Sequence, residues 1–220
     1  IYHRADMPSN APVLYQIHGG GWTEKMGDKS KQALPLMNHL AAQGWVCVSV
    51  DYRLSPRYVW PAHIIDCKRA LIWIKQNIQE YGGDPNFIVA TGGSAGGHLC
   101  SLLALTANEP DFQPGFETAD TTVNACVPFY GVYDFSNAFD LHINSGLLQA
   151  LEKSIIGKPL IGNEDLYRKA SPMHRIRPEA PPFFVIHGSL ASLVSLQEAR
   201  KFVELLRERS HSHVAYLDLP

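Results

Sequence analysis

Two short runs in this chain have the residue types to do chemistry. Gly92-Gly93-Ser94-Ala95-Gly96 is a G-x-S-x-G pattern, and His18-Gly19-Gly20-Gly21-Trp22 lies upstream of it. A serine with glycine two positions to either side suits a tight turn from strand to helix. There the chain doubles back and the hydroxyl stands exposed at the helix N-terminus. Amides at such a terminus favour developing negative charge, and the Ala95 amide is the first candidate donor. Three successive glycines let further backbone N–H groups approach a ligand without side chains in the way. Together the two runs imply attack by Ser94 on an acyl carbonyl, with the resulting oxyanion held by amides. The competing reading of the elbow alone is a Gly-rich turn in which Ser94 merely caps a helix. A phosphate loop fits poorly, because no Lys-Ser/Thr pair or spaced G-x-G-x-x-G follows the glycines.

The elements needed to position these runs are legible as alternating short apolar and longer amphipathic stretches, the pattern of βαβ units and a parallel sheet. Strands are expected at Val13–Ile17, Trp45–Val50, Phe87–Thr91, Ala125–Phe129, Phe183–Ile186 and Val214–Leu217. Most are near-continuous hydrophobic runs, as strands covered on both faces should be. Ile64, Cys67, Leu71, Ile74, Ile78 and Tyr81 form one apolar stripe of a long helix that ends at Gly82-Gly83. Shorter stripes run from Ala33 to Ala41 and from Ala199 to Leu206, and a further helix is expected from His98 to Ala107 behind the elbow. Both chemical runs therefore follow a strand. From Asp134 to about Pro172 the alternation breaks, marking either a lid or cap piece or an ordinary helical crossover.

Composition narrows the function classes. The 220 residues are enough for one sizeable core, and a single domain is expected. A net charge of −2 gives no electrostatic footprint for nucleic acid or an anionic membrane. No apolar run approaches the ~20 residues of a membrane span, and Ile1-Tyr2-His3-Arg4 does not open a signal peptide. Cys47, Cys67, Cys100 and Cys126 lie within apolar elements without metal-ligand spacing. They read as buried free thiols, which favours a reducing, cytoplasmic compartment. No metal or organic cofactor is implied.

The motifs resemble those of the hormone-sensitive-lipase-like carboxylesterases of the α/β-hydrolase superfamily, over nearly the whole chain. His18–Trp22 is similar to that group's HGGGW motif, Asp51-Tyr52-Arg53-Leu54-Ser55-Pro56 to its DYRLAP-type segment, and Gly92–Gly97 to its G-x-S-A-G-G elbow. Phe129-Tyr130-Gly131 and Pro181–Gly188 are similar to segments around its later strands. The resemblance implies an α/β-hydrolase fold: a mostly parallel twisted sheet, helices on both faces and a small lid-like excursion. It also implies hydrolysis of a small-molecule acyl ester through an acyl-enzyme on Ser94, with amides of Gly20, Gly21 and Ala95 as the oxyanion hole.

The chain departs from that pattern in three places. The group's acid belongs in a segment like HGxxDxLVP, where this chain has Ala191 at the Asp position. Asp134, after the fourth expected strand, is the substitute carboxylate. The group's histidine follows the last strand, so the base is expected beyond Pro220. Tyr2 falls where the group has its second strand, which puts the first strand and an N-terminal cap upstream of Ile1. Of the histidines present, His211 and His213 precede the last strand, at its wrong end. His98, His18 and His187 are weak substitutes, the last two reading as structural hydrogen-bonders. Two rival functions follow: an amidase of the kynurenine-formamidase type, whose loop is more like HGGYW, and a non-catalytic hydrolase-fold binding protein.

Overall fold

The computed structural model describes residues 1–6, 9–30, 32–141, 145–189 and 194–220. Six strands form one all-parallel sheet: β1 (Ala11–Ile17), β2 (Val46–Val50), β3 (Gly83–Gly93), β4 (Ala125–Phe129), β5 (Phe183–Gly188) and β6 (Val214–Leu219). Each contains its expected strand except β2, which starts one residue later, at Val46. The largest extension is in β3, which begins at Gly83 and runs on to Gly93, directly before the serine. The spatial order is β2-β1-β3-β4-β5-β6. The chain leaves β1 toward β2 on one side and leaves β3 toward β4 on the other. That reversal opens a crevice between the carboxyl ends of β1 and β3, the place where open parallel sheets bind ligands. The glycine loop follows β1 and the serine follows β3, so both motifs flank it.

Helices cover both faces of the sheet. α1 (Leu34–Ala42) packs Met37 against Leu14, Cys47 and Val89 on one face. On the other, α2 (Ala62–Asn77) and α3 (Ala95–Leu105) bury Ile64, Leu71, Leu99 and Leu103 in one core with Val13, Tyr15 and Ile17, and α6 (Leu196–Arg209) extends that core by setting Phe202 edge-on to Phe183 of β5. Alternate residues of β1 thus serve opposite cores, as the two-residue period of a strand requires. The apolar stripe read for one long helix continues past α2 as a tight 3-10 turn, Ile78–Tyr81, which closes on the left-handed Gly82 at φ 80°. α3 starts three residues before the expected His98, because the first turn is built from Ala95, Gly96 and Gly97, which carry no helical periodicity. All four cysteines are buried free thiols. Among the described residues no helix is long and apolar enough to cross a membrane.

Residues from Asp134 to Pro172 make the crossover from β4 to β5. They include α4 (Ser145–Ala150), a wide helical turn at Leu151–Ile155 and α5 (Glu164–Lys169). Leu151, Ile155, Tyr167 and Ala170 belong to the main core. The Trp60 amide donates to the Ile155 carbonyl at 2.8 Å, which ties this crossover to the segment before α2. At the outer edge of the sheet Tyr2 lies antiparallel to Cys47, exchanging two backbone bonds of 2.8 Å.

Candidate active site

Ser94 sits in the turn between β3 and α3 with φ 57° and ψ −120°. This is left-handed backbone that a non-glycine residue adopts only when its surroundings enforce it, at a cost of roughly 1–3 kcal/mol. The enforcement is visible in the neighbouring glycines. A Cβ on Gly92 would stand 2.5 Å from the Gly96 and Ile17 carbonyl oxygens, and one on Gly96 only 2.1 Å from the Ile17 oxygen. A Cβ on Gly97 would meet the Gly131 Cα at 2.8 Å. The Ser94 amide donates to the Phe129 carbonyl at 3.0 Å, and the Ser94 carbonyl accepts from the His98 amide at 3.0 Å. The Ser94 hydroxyl makes no capping bond to α3. That removes the helix-cap reading of this residue, and the half-buried hydroxyl has no hydrogen-bond partner among the described residues.

The glycine loop is pressed against the elbow from the β1 side. Gly19 abuts the Gly93 carbonyl, which a Cβ would approach to 2.5 Å. The next three residues are all left-handed, with φ 99° at Gly20, 59° at Gly21 and 58° at Trp22. At Gly20 a Cβ would also strike the Met26 backbone at 2.5 Å. The loop is fastened by side chains that sequence periodicity does not expose. The Gly19 amide donates to Gln32 Oε1 at 2.5 Å, and Tyr52 Oη donates to the His18 carbonyl at 3.0 Å. The Thr23 amide closes back on the Gly20 carbonyl at 3.1 Å. Among the described residues the amides of Gly20, Gly21 and Ala95 have no hydrogen-bond acceptor. The fold therefore brings one nucleophile-type side chain and three uncommitted N–H donors to the same crevice.

The other sequence-derived residues are placed as follows. Ala191 lies outside the described residues. Asp134 is buried two residues past Val132, where its Oδ1 accepts from the Ser136 amide at 2.9 Å and stands 3.5 Å from His174 Nε2. Burial alone would raise its pKa, but the hydrogen bonds from His174 and Ser136 outweigh it and hold the carboxyl below the usual range. Its Oδ2 has no partner among the described residues. Glu198, at the start of α6, receives the Tyr133 and Asp134 amides, and burial pushes its pKa up to about 7.

Of the histidines read as weak substitutes, His18, His98 and His187 are buried with one ring nitrogen on a backbone carbonyl, and His18 Nε2 and His187 Nδ1 have no hydrogen-bond partner among the described residues. His18 bonds the Gly19 carbonyl at 2.7 Å and stacks on Tyr52 at 4.4 Å. His187 bonds the Val194 carbonyl at 3.1 Å. His98 is fully buried, and burial pushes its pKa down to about 3. His211 and His213 precede β6, at the amino end of the parallel strands, whereas Ser94 follows the carboxyl end of β3.

A cavity of about 220 Å³ opens beside the elbow, bounded by Gly92, Gly93, Phe129, Tyr130, Gln32 and Leu36. Tyr130 turns its ring over Gly93 from a left-handed φ of 38°. Tyr130 was legible only as part of a motif, and Gln32 carried no signal at all, since its role depends on a loop folding back on itself.

Comparison with known proteins places this geometry in a family. Residues 1–206 match the BD-FAE family. The chain is 56% identical over 215 residues to the probable carboxylic ester hydrolase LipM of Mycobacterium tuberculosis, covering 98% of this chain and 49% of that protein. It is 47% identical to esterase LipQ of the same organism, covering 100% of this chain and 52% of LipQ. The chain thus spans about half the length of the curated relatives it matches. Among solved structures, Thermogutta terrifontis esterase 2 phosphonylated by sarin superposes with a TM-score of 0.80 at 27% identity, over 99% of this chain and 77% of that one. A match running from the first residue into α6, on a fold shared with solved esterases, makes the chain a member of the BD-FAE family and, with it, of the hormone-sensitive-lipase-like α/β-hydrolases.

Proposed function

We propose that the chain carries the nucleophile and oxyanion hole of a serine hydrolase acting on small carboxylic esters. The observation that carries this reading is the interlock of Ser94, in a strained elbow, with a left-handed glycine loop whose Gly20 and Gly21 amides have no acceptor among the described residues. Ser94 Oγ attacks the ester carbonyl, and the amides of Gly20, Gly21 and Ala95 take the charge that develops on the carbonyl oxygen. Each such donor is worth about 2.7–4 kcal/mol of transition-state stabilisation in other hydrolases. The alcohol leaves, and water releases the acyl group from Ser94.

The proton is taken by a histidine supplied from the segment that follows β6. All six strands are parallel, so that segment leaves β6 at the carboxyl end of the sheet, the end from which β3 leads into Ser94. A relative phosphonylated by sarin supports a serine reactive toward phosphorus acylating agents. The 220 Å³ cavity beside Gly93 suits a short acyl or alcohol group. Gly21 sits at φ 59°, a conformation that the Tyr of an HGGYW loop rarely adopts, which favours the esterase over the formamidase reading.

The test is hydrolysis of p-nitrophenyl butyrate by the full-length protein, with Ser94→Ala as the blank, and fluorophosphonate labelling mapped by mass spectrometry. Turnover that depends on Ser94, with the label on Ser94, is the expected result. Turnover equal to the blank and no label on Ser94 would leave the binding-protein reading.

A further inference from the structure

His98 is attached to three separate parts of the site. It lies one turn into α3 from the serine, and its own amide donates to the Ser94 carbonyl at 3.0 Å. Its Nδ1 is 3.2 Å from Trp22 Nε1, and its Nε2 is 2.8 Å from the Ala170 carbonyl. These partners fix the tautomer, because an indole N–H can only donate and a carbonyl can only accept. Nδ1 is therefore the acceptor and Nε2 carries the proton. The ring is stacked on Phe135 at 4.2 Å, and Trp22 meets that same ring edge-on at 5.2 Å.

What Trp22 holds is the end of the glycine loop. Gly20, Gly21 and Trp22 are consecutive left-handed residues, and such a run has no repeating backbone bonds of its own. Its orientation must come from its ends. One end is fixed by Gln32 on the Gly19 amide. The other is fixed by the Trp22 carbonyl, which accepts from Ser55, and by the indole on His98. Among the described residues the indole bond is the side-chain hydrogen bond that ties the loop to the helix carrying the Ala95 amide.

We propose that His98 is the positioning residue of the oxyanion hole, holding Trp22, and through it Gly20 and Gly21, in register with Ala95 on the elbow helix. The role rests on the hydrolase reading of Ser94. It requires a neutral ring, since a protonated Nδ1 would point a second donor at the indole N–H. Burial keeps His98 neutral, with a pKa near 3.

The test is a double-mutant cycle between Trp22 and His98 in the full-length protein, with Ser94→Ala as the blank. His98→Leu is expected to lower kcat on the order of 10–100-fold with KM changed by less than about twofold, as for a misplaced transition-state donor. His98→Asn, which keeps an acceptor near the place of Nδ1, recovers most of that loss. Trp22→Phe costs a similar factor, and the double variant loses little beyond either single one. Amide resonances of Gly20 and Gly21 shift in His98→Leu and return in His98→Asn. Additive losses in kcat, or losses confined to KM, overturn the proposal. If the wild-type protein shows no Ser94-dependent turnover, the hydrolase reading fails, and unmoved Gly20 and Gly21 resonances then overturn the positioning role as well. If His98→Leu does not fold, Trp22→Phe carries the test: it lowers kcat with KM unchanged and shifts the Gly20 and Gly21 resonances, and the absence of either effect overturns the proposal.

Discussion

Gly96 and Ile17 are in backbone contact: a Cβ on Gly96 would stand 2.1 Å from the Ile17 carbonyl oxygen. This single approach joins the first turn of the elbow helix to the end of the strand that launches the glycine loop. Neither partner is a flexible side chain, so neither can swing aside. Gly96→Ala is expected to cost about 3 kcal/mol or more, at or above the upper end for overpacking, and to abolish hydrolysis by prying the loop from the elbow. Thermal unfolding and turnover of p-nitrophenyl butyrate together check this. A folded variant with normal activity would refute the interlock.

Ser94 is strained for the sake of its position. At φ 57° a glycine fits without penalty, and relief of roughly 1–3 kcal/mol competes with about 0.5–1 kcal/mol of extra chain entropy in the unfolded state. Ser94→Gly is therefore expected to raise stability by about 1 kcal/mol, or about 2–4 °C in Tm for a chain of this size, while removing Ser94-dependent turnover. A lower Tm would show that the serine side chain contributes contacts that outweigh its strain.

Two buried histidines make the fold acid-sensitive. Burial lowers the pKa of His98 to about 3 and that of His63 to about 4. The unfolded chain binds a proton on each near pH 6.5, whereas the folded chain does not until far lower. Stability is therefore fully present above about pH 6.5 and falls as the pH drops toward 4, by about 1.4 kcal/mol per unit for each group. Urea unfolding at about pH 7 and about pH 5 should differ by about 2 kcal/mol per histidine. His98→Asn should remove one proton's share of that slope. A stability that does not change between the two conditions would mean that neither ring is held neutral.

Asp134 is engaged with Ser136 and His174, which makes it a poor carboxylate for orienting a catalytic histidine. Asp134→Asn is expected to cost about 1–2 kcal/mol of stability, the scale of weakened bonds to a buried charged group, with kcat within about threefold of wild type. Ala191→Asp, in contrast, should raise kcat by at least about tenfold, since an orienting carboxylate is worth up to about 10⁴ in a serine-protease triad. A collapse of kcat in Asp134→Asn would instead make Asp134 the acid.

The sequence by itself determined the alternation of strands and helices, because a strand buried on both faces must be apolar throughout and a helix packed on a sheet must show one stripe. It also located Ser94 and the glycine run, because the turn and the close approach tolerate almost nothing but small residues. His98 was visible only as a histidine on the elbow helix, and Gln32 and Tyr52 were not assigned any task, since each acts on a residue remote in sequence. Only the tertiary structure decided that the His98 ring is neutral, in the Nε2–H form and bonded to Trp22 and Ala170. It alone decided that Asp134 is tied into a local turn and that Gly96 presses on Ile17. Periodicity reports which face of an element is buried. Which atoms meet across the crevice between β1 and β3 depends on how the elements pack, and no local pattern encodes that.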